Sequence, residues 1–133
     1  FNMSEENMTS RIVKAIQNPY TTILGHPTGR LLLARDGYSV DITRIIDEAI
    51  AHNVAIEVNA NPHRLDLDWR HLRYAKDNGA MISIGPDAHQ IAELDYVTYG
   101  IGMARKGVLV AGDLLNAMSI EELTNWIGQR TTE

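Results

Sequence analysis

Cysteine is absent from this chain of 133 residues. Disulfide bonds and thiolate metal ligands are therefore excluded, and any bound metal ion must be held by His, Asp or Glu side chains. Such ligands favour Mn, Zn, Fe or Mg in a catalytic setting over a cysteine-rich structural zinc site. No apolar run is long enough to cross a bilayer. We therefore expect a cytoplasmic protein with no membrane partner.

An excess of positive charge is also missing, since the formal net charge is -5. A negative chain lacks the electrostatic footprint of a dedicated nucleic-acid binder, although local basic clusters remain compatible with it. Hydrophobic residues make up 44% and charged residues 22%, which is ordinary for one globular domain with a core. No signal-peptide pattern is present at the N-terminus. The first residue, Phe1, is not an initiator, which favours a start that is not the natural one.

Short apolar segments alternate with amphipathic helical segments along the chain. Strands are predicted at residues 21–24, 54–58, 80–84 and 108–111, and helices at 4–17, 41–53, 68–78, 91–94, 97–105 and from Ser119 onward, with fraying from Thr131. The strands are apolar at nearly every position, which is typical of a parallel sheet covered on both faces. The pattern predicts an α/β fold of about four βα units. Such a fold is either a small open domain or the C-terminal half of a larger barrel.

Imidazole and carboxylate side chains follow two of these strands. The run Thr22-Ile-Leu-Gly-His-Pro27 places His26 after the first strand, and the run Ile82-Ser-Ile-Gly-Pro-Asp-Ala-His89 places Asp87 and His89 after the third. Active sites of parallel α/β proteins lie at the carboxyl ends of the strands. These three residues are therefore candidate metal ligands and candidate catalytic residues. The alternative is that Asp87 caps the next helix, that His89 is exposed, and that His26 satisfies backbone groups of its loop.

The remaining histidines and several basic residues receive separate interpretations. Three histidines are assigned to the surface (His52, His63 and His71). Arg30, Arg64 and Lys106 are candidates for binding substrate phosphate, with surface pairing to nearby carboxylates as the alternative. Asn59 is a candidate for orienting a ligand or a water molecule, whereas Asn61 favours a turn before Pro62.

Several longer motifs resemble those of a known protein family. They are Ile23-Leu-Gly-His-Pro-Thr-Gly-Arg30, Ile56-Glu-Val-Asn-Ala-Asn-Pro62 with Arg64-Leu-Asp-Leu-Asp-Trp69, Ser83-Ile-Gly-Pro-Asp-Ala-His89, Tyr99-Gly-Ile-Gly102 and Ala104-Arg-Lys-Gly107. In this order they resemble the C-terminal part of a PHP (polymerase and histidinol phosphatase) domain. More narrowly, they resemble the PHP domain attached to bacterial and archaeal family X DNA polymerases. The resemblance runs from about residue 8 to residue 107, and it implies that residues 1–133 form the C-terminal portion of such a domain.

The resemblance implies a distorted seven-stranded (β/α) barrel that binds up to three divalent metal ions, Mn or Zn, through nine ligands. His26 matches a late single-His ligand, and Asp87 and His89 match a terminal Asp-x-His pair. The motifs of the other six ligands are not in this chain, and Glu57 does not match the family's glutamate ligand, whose motif lies earlier. Because three of nine ligands do not assemble such a centre, we expect this chain to be inactive alone.

The resemblance also implies a function for the complete protein. Clustered divalent ions convert bound water to hydroxide and stabilise charge on phosphate oxygens, which suits phosphoester hydrolysis. The implied activity is a 3′–5′ exonuclease in a family X DNA polymerase that acts in DNA repair, with DNA, the remaining barrel and the polymerase core as partners. Two alternatives stay open: a stand-alone PHP phosphatase for a small phosphate monoester, and a non-catalytic structural or interaction fragment. Exposed parallel edge strands further predict self-association.

Overall fold

A three-stranded parallel sheet organises the chain in a computed structural model that describes residues 3–130. The strands are β1 (Ile23–Leu24), β2 (Ala55–Asn59) and β3 (Ile82–Gly85), in the order β1-β2-β3. Ile56 in the central strand pairs with Leu24 on one side and with Ile82 on the other. The predicted α/β class and parallel sheet are confirmed. The seven-stranded barrel stays a prediction, and the predicted fraying from Thr131 lies outside the described residues.

In the described part of the chain, five α-helices pack around the sheet: α1 (Glu5–Ile16), α2 (Ile42–Ala51), α3 (Trp69–Asp77), α4 (Val97–Lys106) and α5 (Ile120–Gly128). Where a helix was predicted near residues 91–94, the chain forms a 3₁₀ helix, Ile91–Tyr96. Four helices begin where the sequence predicts, because a side-chain oxygen accepts a backbone N–H of the first turn (Ser4, Asp41, Asp68 and Ser119). Within residues 3–130, none of these helices has the length and apolarity that crossing a membrane requires.

The hydrophobic core lies on both faces of the sheet because side chains alternate along β2. One face joins the sheet to the first four helices through a cluster of buried residues that includes Ile16, Ile46, Ile56, Leu72 and Ile82. On the opposite face Ala55 packs with Leu115 and Trp126. This second face also carries Glu57, two residues along β2 from Ala55.

The prediction of a fourth strand at residues 108–111 is wrong. Val108 has φ +60, a left-handed conformation that a strand does not adopt, and the N–H of Leu109 donates to the carbonyl of Ala104 to finish α4. A 3₁₀ helix, Ala111–Asp113, follows, and only Leu114 forms an isolated parallel bridge with Ile82. The apolar composition of this run favours a strand, but its buried residue, Leu109, completes the end of a helix. The part of the chain that the structure describes therefore has three strands instead of four.

Within residues 3–130, the outer edge of β3 is covered by a side chain and not by a further strand. The Asn116 amide accepts the N–H of Ile84 at 2.8 Å and donates to the carbonyl of the same residue at 3.0 Å. This pair of bonds imitates the backbone of a neighbouring strand. It satisfies polar groups that would otherwise invite another chain to pair with this edge.

Candidate functional site

Glu57 lies at the centre of the predicted site, between the loops that follow β1 and β3. Its Oε2 accepts the backbone N–H of His26 at 2.6 Å and the side-chain amide of Asn59 at 3.4 Å. A Cβ atom on Gly85 would lie 2.6 Å from Glu57 Oε1, so the glycine lets the loop after β3 approach this carboxylate. Burial raises the pKa of Glu57, with the hydrogen bond from His26 opposing this shift. The carboxylate thus holds the His26 loop directly and lies close to the end of β3, where the loop of Asp87 begins.

Both of those loops adopt unusual backbone conformations. His26 has φ +28 and Asp87 has φ +53, although neither residue is a glycine. Left-handed conformations cost a non-glycine residue free energy and are concentrated at functional sites. The sequence placed both residues at strand ends, and the structure adds that their backbones are held away from the favoured regions.

Asp66 anchors the loop that contains His26. Its buried carboxylate accepts the backbone N–H groups of Thr28 and Gly29, each at 3.0 Å. Burial raises the pKa of Asp66, and the N–H groups of Thr28 and Gly29 work against that shift. Tyr38 also packs against Gly29, where a Cβ atom would lie 2.5 Å from its ring. The loop is consequently held by both the Asp66 carboxylate and the Tyr38 ring.

Arg30, a predicted phosphate contact, uses all three of its guanidinium nitrogens inside the chain. Its Nε donates to the carbonyl of Arg64 at 2.9 Å, its Nη1 donates to Asp68 at 3.2 Å, and its Nη2 donates to the carbonyl of Leu65. These bonds tie the loop after β1 to the loop after β2. In this structure Arg30 therefore positions two loops, and its contact with phosphate stays a prediction.

Arg64 pairs with Asp87, another residue of the predicted site, through a 3.1 Å contact between Nε and Oδ2. Its Nη1 makes only a 3.5 Å contact with the carbonyl of Arg30, and no hydrogen-bond partner for Nη2 lies within residues 3–130. His89 is largely exposed, and its Nδ1 lies 2.8 Å from the carbonyl of Asp87. The structure thus brings Arg64, Asp87 and His89 together.

The candidate metal ligands His26, Asp87 and His89 do not by themselves form a site that fits a metal ion. Across the described part of the chain, no three His, Asp or Glu side chains are grouped so that they could hold one. Asp87 is engaged by a guanidinium and the His89 Nδ1 by a backbone carbonyl. The roles of His26, Asp87 and His89 as metal ligands and catalytic residues stay predictions that require further ligands.

Three further predicted residues have defined positions. Lys106 lies with its Nζ 4.7 Å from the centroid of the Trp69 ring, a cation–π contact at the end of α4. Asn59 is buried and orients Glu57. The predicted turn at Asn61 is confirmed, because its side chain accepts the N–H of His63 and its carbonyl accepts the N–H of Arg64.

Sequence reasoning missed the structural roles of Glu57 and Asp66. Glu57 interrupts the apolar run Ala55-Ile-Glu-Val58, and a carboxylate inside a buried strand needs partners. The sequence therefore contained a signal that Glu57 has a structural role. Asp66 gave no comparable signal, because its acceptor role depends on a loop 37 and 38 residues earlier in the chain.

Comparisons with known proteins confirm the resemblance inferred from the motifs. No protein-family model matches the chain. The chain is 42% identical over 92% of its length to the DNA polymerase/3′-5′ exonuclease PolX of Bacillus subtilis (strain 168), and it covers only the C-terminal 22% of that protein.

Weaker matches are to proteins named as probable phosphatases. One, from Caldanaerobacter subterraneus, is 29% identical over 63% of the chain, which spans 33% of that relative. Another, from Thermoanaerobacter sp. (strain X514), is 30% identical over the same share of the chain, which spans 34% of it. The chain therefore spans between about a fifth and a third of these relatives.

Proposed function

From the relationship to PolX, we propose that residues 1–133 are the C-terminal portion of a PHP domain in a family X DNA polymerase. The complete domain is a metal-dependent phosphoesterase that removes nucleotides from the 3′ end of DNA. One observation supports this most directly: Glu57 accepts the N–H of His26 and lies close to Gly85, two residues before Asp87, at the carboxyl ends of the strands. In the proposed setting the protein acts in DNA repair in the cytoplasm.

The proposal divides the metal site between this chain and the rest of the protein. His26, Asp87 and His89 supply part of the ligand set for Mn or Zn, and the preceding part of the domain supplies the others. This division would explain why Asp87, His26 and His89 follow the carboxyl ends of the strands without forming a metal site on their own. The edge of β1 opposite β2, which has no strand beside it within residues 3–130, is the proposed place for the remaining barrel.

A second candidate function is supported by the probable phosphatases among the relatives. In that case the same site hydrolyses a small phosphate monoester. A third candidate, a non-catalytic structural fragment, is favoured by the absence of a grouped metal site in residues 3–130. The exonuclease is preferred because the identity to PolX is higher and extends over more of the chain.

The test uses the full-length protein that carries this chain, Mn²⁺ and a single-stranded DNA labelled at its 5′ end. We expect stepwise shortening from the 3′ end, and a loss of about tenfold or more in Asp87→Asn and His26→Ala. His71→Ala on α3 is the matched control and is expected to retain the activity. Hydrolysis of histidinol phosphate without DNA shortening would favour the phosphatase, and no hydrolysis of either would favour the structural fragment.

A further inference from the structure

The imidazole of His89 is held by hydrogen bonds more than by packing. Its side chain is 77% exposed, so few neighbouring atoms restrict its rotation. Two polar contacts fix it instead. The ring Nδ1 lies 2.8 Å from the carbonyl of Asp87, and the backbone N–H donates to Glu93 Oε2 at 2.7 Å. The direction of this predicted catalytic side chain therefore depends on the groups that accept these two bonds.

Glu93 is itself a well-anchored acceptor. It lies on the 3₁₀ helix Ile91–Tyr96, and its side chain is only 18% exposed. While Oε2 accepts the N–H of His89, Oε1 accepts the side-chain amide of Gln90 at 3.0 Å. The backbone N–H of Glu93 also donates to the carbonyl of Gln90 at 3.0 Å. The carboxylate thus offers the loop of His89 a fixed point of attachment.

Helix capping alone does not account for this contact. In a capping box the carboxylate of the third helical residue accepts the N–H of the N-cap residue itself, as Glu122 does with Ser119 at the start of α5. The N-cap of the 3₁₀ helix is Gln90, but the 2.7 Å bond of Glu93 reaches one residue further back, to His89. The contact therefore connects the helix to a residue of the predicted site.

The contacts of the ring also favour one position for its proton. A carbonyl oxygen only accepts hydrogen bonds, so the contact with Asp87 requires a proton on Nδ1 of His89. Glu93 Oε2 lies 4.0 Å from the same nitrogen, and its negative charge favours the proton there as well. In the neutral ring Nε2 then carries the lone pair, and no hydrogen-bond partner for Nε2 lies within residues 3–130.

We propose that Glu93 is a positioning residue for His89: it holds the backbone of the loop so that the Asp87 carbonyl keeps the proton on Nδ1 and Nε2 stays free for the reaction. The inference rests on the proposed function, in which His89 takes part in hydrolysis. Glu93 lies four residues beyond the Asp-x-His pair and is not among the predicted site residues. Hydrogen bonds that orient a catalytic histidine in this way commonly matter for activity.

The first experiment observes the His89 ring and needs no activity. Full-length protein with isotope-labelled histidine, freed of metal ions with EDTA, is measured by NMR at alkaline pH, where imidazoles are neutral. We expect the wild-type ring in the Nδ1–H form, assigned by the loss of its signals in His89→Gln. Glu93→Ala, and Glu93→Asp with its shorter side chain, should shift the ring towards the Nε2–H form. Glu93→Gln keeps an acceptor oxygen and should retain the wild-type form.

Asp95→Ala is the matched control for the ring measurement. It removes a carboxylate from the same 3₁₀ helix, but Asp95 is exposed and no hydrogen bond of its side chain lies within residues 3–130. It is expected to leave the His89 ring in its wild-type form. A wild-type ring in the Nε2–H form, or an Nδ1–H form that persists in both Glu93→Ala and Glu93→Asp, would overturn the proposal.

The second experiment measures removal of nucleotides from the 3′ end of DNA by the same variants. Glu93→Ala is expected to lower kcat by about tenfold and to change KM by less than about twofold, because His89 is misdirected while DNA contacts are kept. Glu93→Gln and Asp95→Ala should keep kcat close to that of the wild type. A loss of kcat in Glu93→Ala without any change of the His89 ring would assign a merely structural role to Glu93 and overturn the proposal.

The two experiments separate this inference from the proposed function. If the full-length protein shortens no DNA but the His89 ring responds to Glu93→Ala, the exonuclease is wrong and the positioning of His89 by Glu93 stands. If the protein shortens DNA and neither kcat nor the ring responds to Glu93→Ala, the exonuclease stands and the positioning role is wrong.

Discussion

The carboxylate of Glu57 and the backbone N–H of His26 are joined by a 2.6 Å hydrogen bond that crosses from β2 to the loop after β1. The same carboxylate occupies the space that a side chain at Gly85 would need. A single residue of the central strand therefore holds the loop of His26 and lies close to the end of the strand that leads to Asp87. The first prediction concerns this residue.

Glu57→Ala is expected to lower the free energy of unfolding by about 0.5–1.5 kcal/mol, because the exposed N–H of His26 exchanges its carboxylate acceptor for water. Glu57→Gln is expected to cost less, since its amide oxygen still accepts that hydrogen bond. Urea unfolding measures both, and amide exchange at His26 reports the local effect. Glu121→Ala, at an exposed position of α5, is the control. Equal losses in the Gln and Ala variants would contradict the role assigned to the hydrogen bond.

Two glycines of α4 are expected to respond to alanine in opposite ways. A Cβ atom at Gly100 would lie 2.4 Å from Ile84 Cγ2 and 2.8 Å from the Cβ of Ala60, whereas one at Gly102 meets nothing within 4 Å. Gly100→Ala should therefore destabilise the fold by about 1–3 kcal/mol, because the helix packs directly on the sheet. Gly102→Ala should stabilise it by up to about 1 kcal/mol through helix propensity. Thermal unfolding of both variants tests the close approach of α4 to β3.

Asp68 should make stability depend on pH in the acid range. Its hydrogen bond from Arg70 holds the pKa of this carboxyl well below its usual 3.8, and Arg30 acts in the same direction. A lowered folded-state pKa means that the stabilisation is present above pH 3.8 and is lost as the pH falls further. Unfolding in urea between pH 7 and pH 2 should show this loss in the wild type.

Asp68→Asn should lose less stability on acidification than the wild type, because the amide does not titrate. At pH 7 it is expected to be less stable by about 1 kcal/mol, as the capping carboxylate is replaced. Asp77→Asn on the same helix is the control, since Asp77 pairs with Arg73 at 3.4 Å while both side chains are exposed. A parallel pH profile of Asp68→Asn and the wild type would refute the assignment.

Asn116→Ala should destabilise the chain by about 1–3 kcal/mol and promote self-association. It removes both hydrogen bonds to Ile84 and leaves the edge of β3 open for another chain. Sedimentation at several concentrations measures the association, and urea unfolding measures the stability. Asn125→Ala, at an exposed position of α5, serves as the control. A variant that stays monomeric wherever the wild type does would show that this edge is protected by other means.

Local sequence signals predicted much of this fold. Helix periodicity and capping residues act within one or two turns, so the starts of α1, α2, α3 and α5 followed from the sequence. The prediction of a strand at residues 108–111 is wrong because it, too, rested on local signals alone. Its apolar composition is compatible with a strand or with a helix end, and only the packing of Leu109 beneath α4 distinguishes them.

The sequence by itself determined that the chain is an α/β protein with His26, Asp87 and His89 just beyond two strands, and it carried the resemblance to family X polymerases. The tertiary structure alone decided that Glu57 holds the loop of His26, that Arg30 ties two loops together, and that Arg64 pairs with Asp87. The difference has a physical cause. Periodicity and capping depend on neighbours in the chain, whereas these contacts join residues 23 or more positions apart, which only packing brings together.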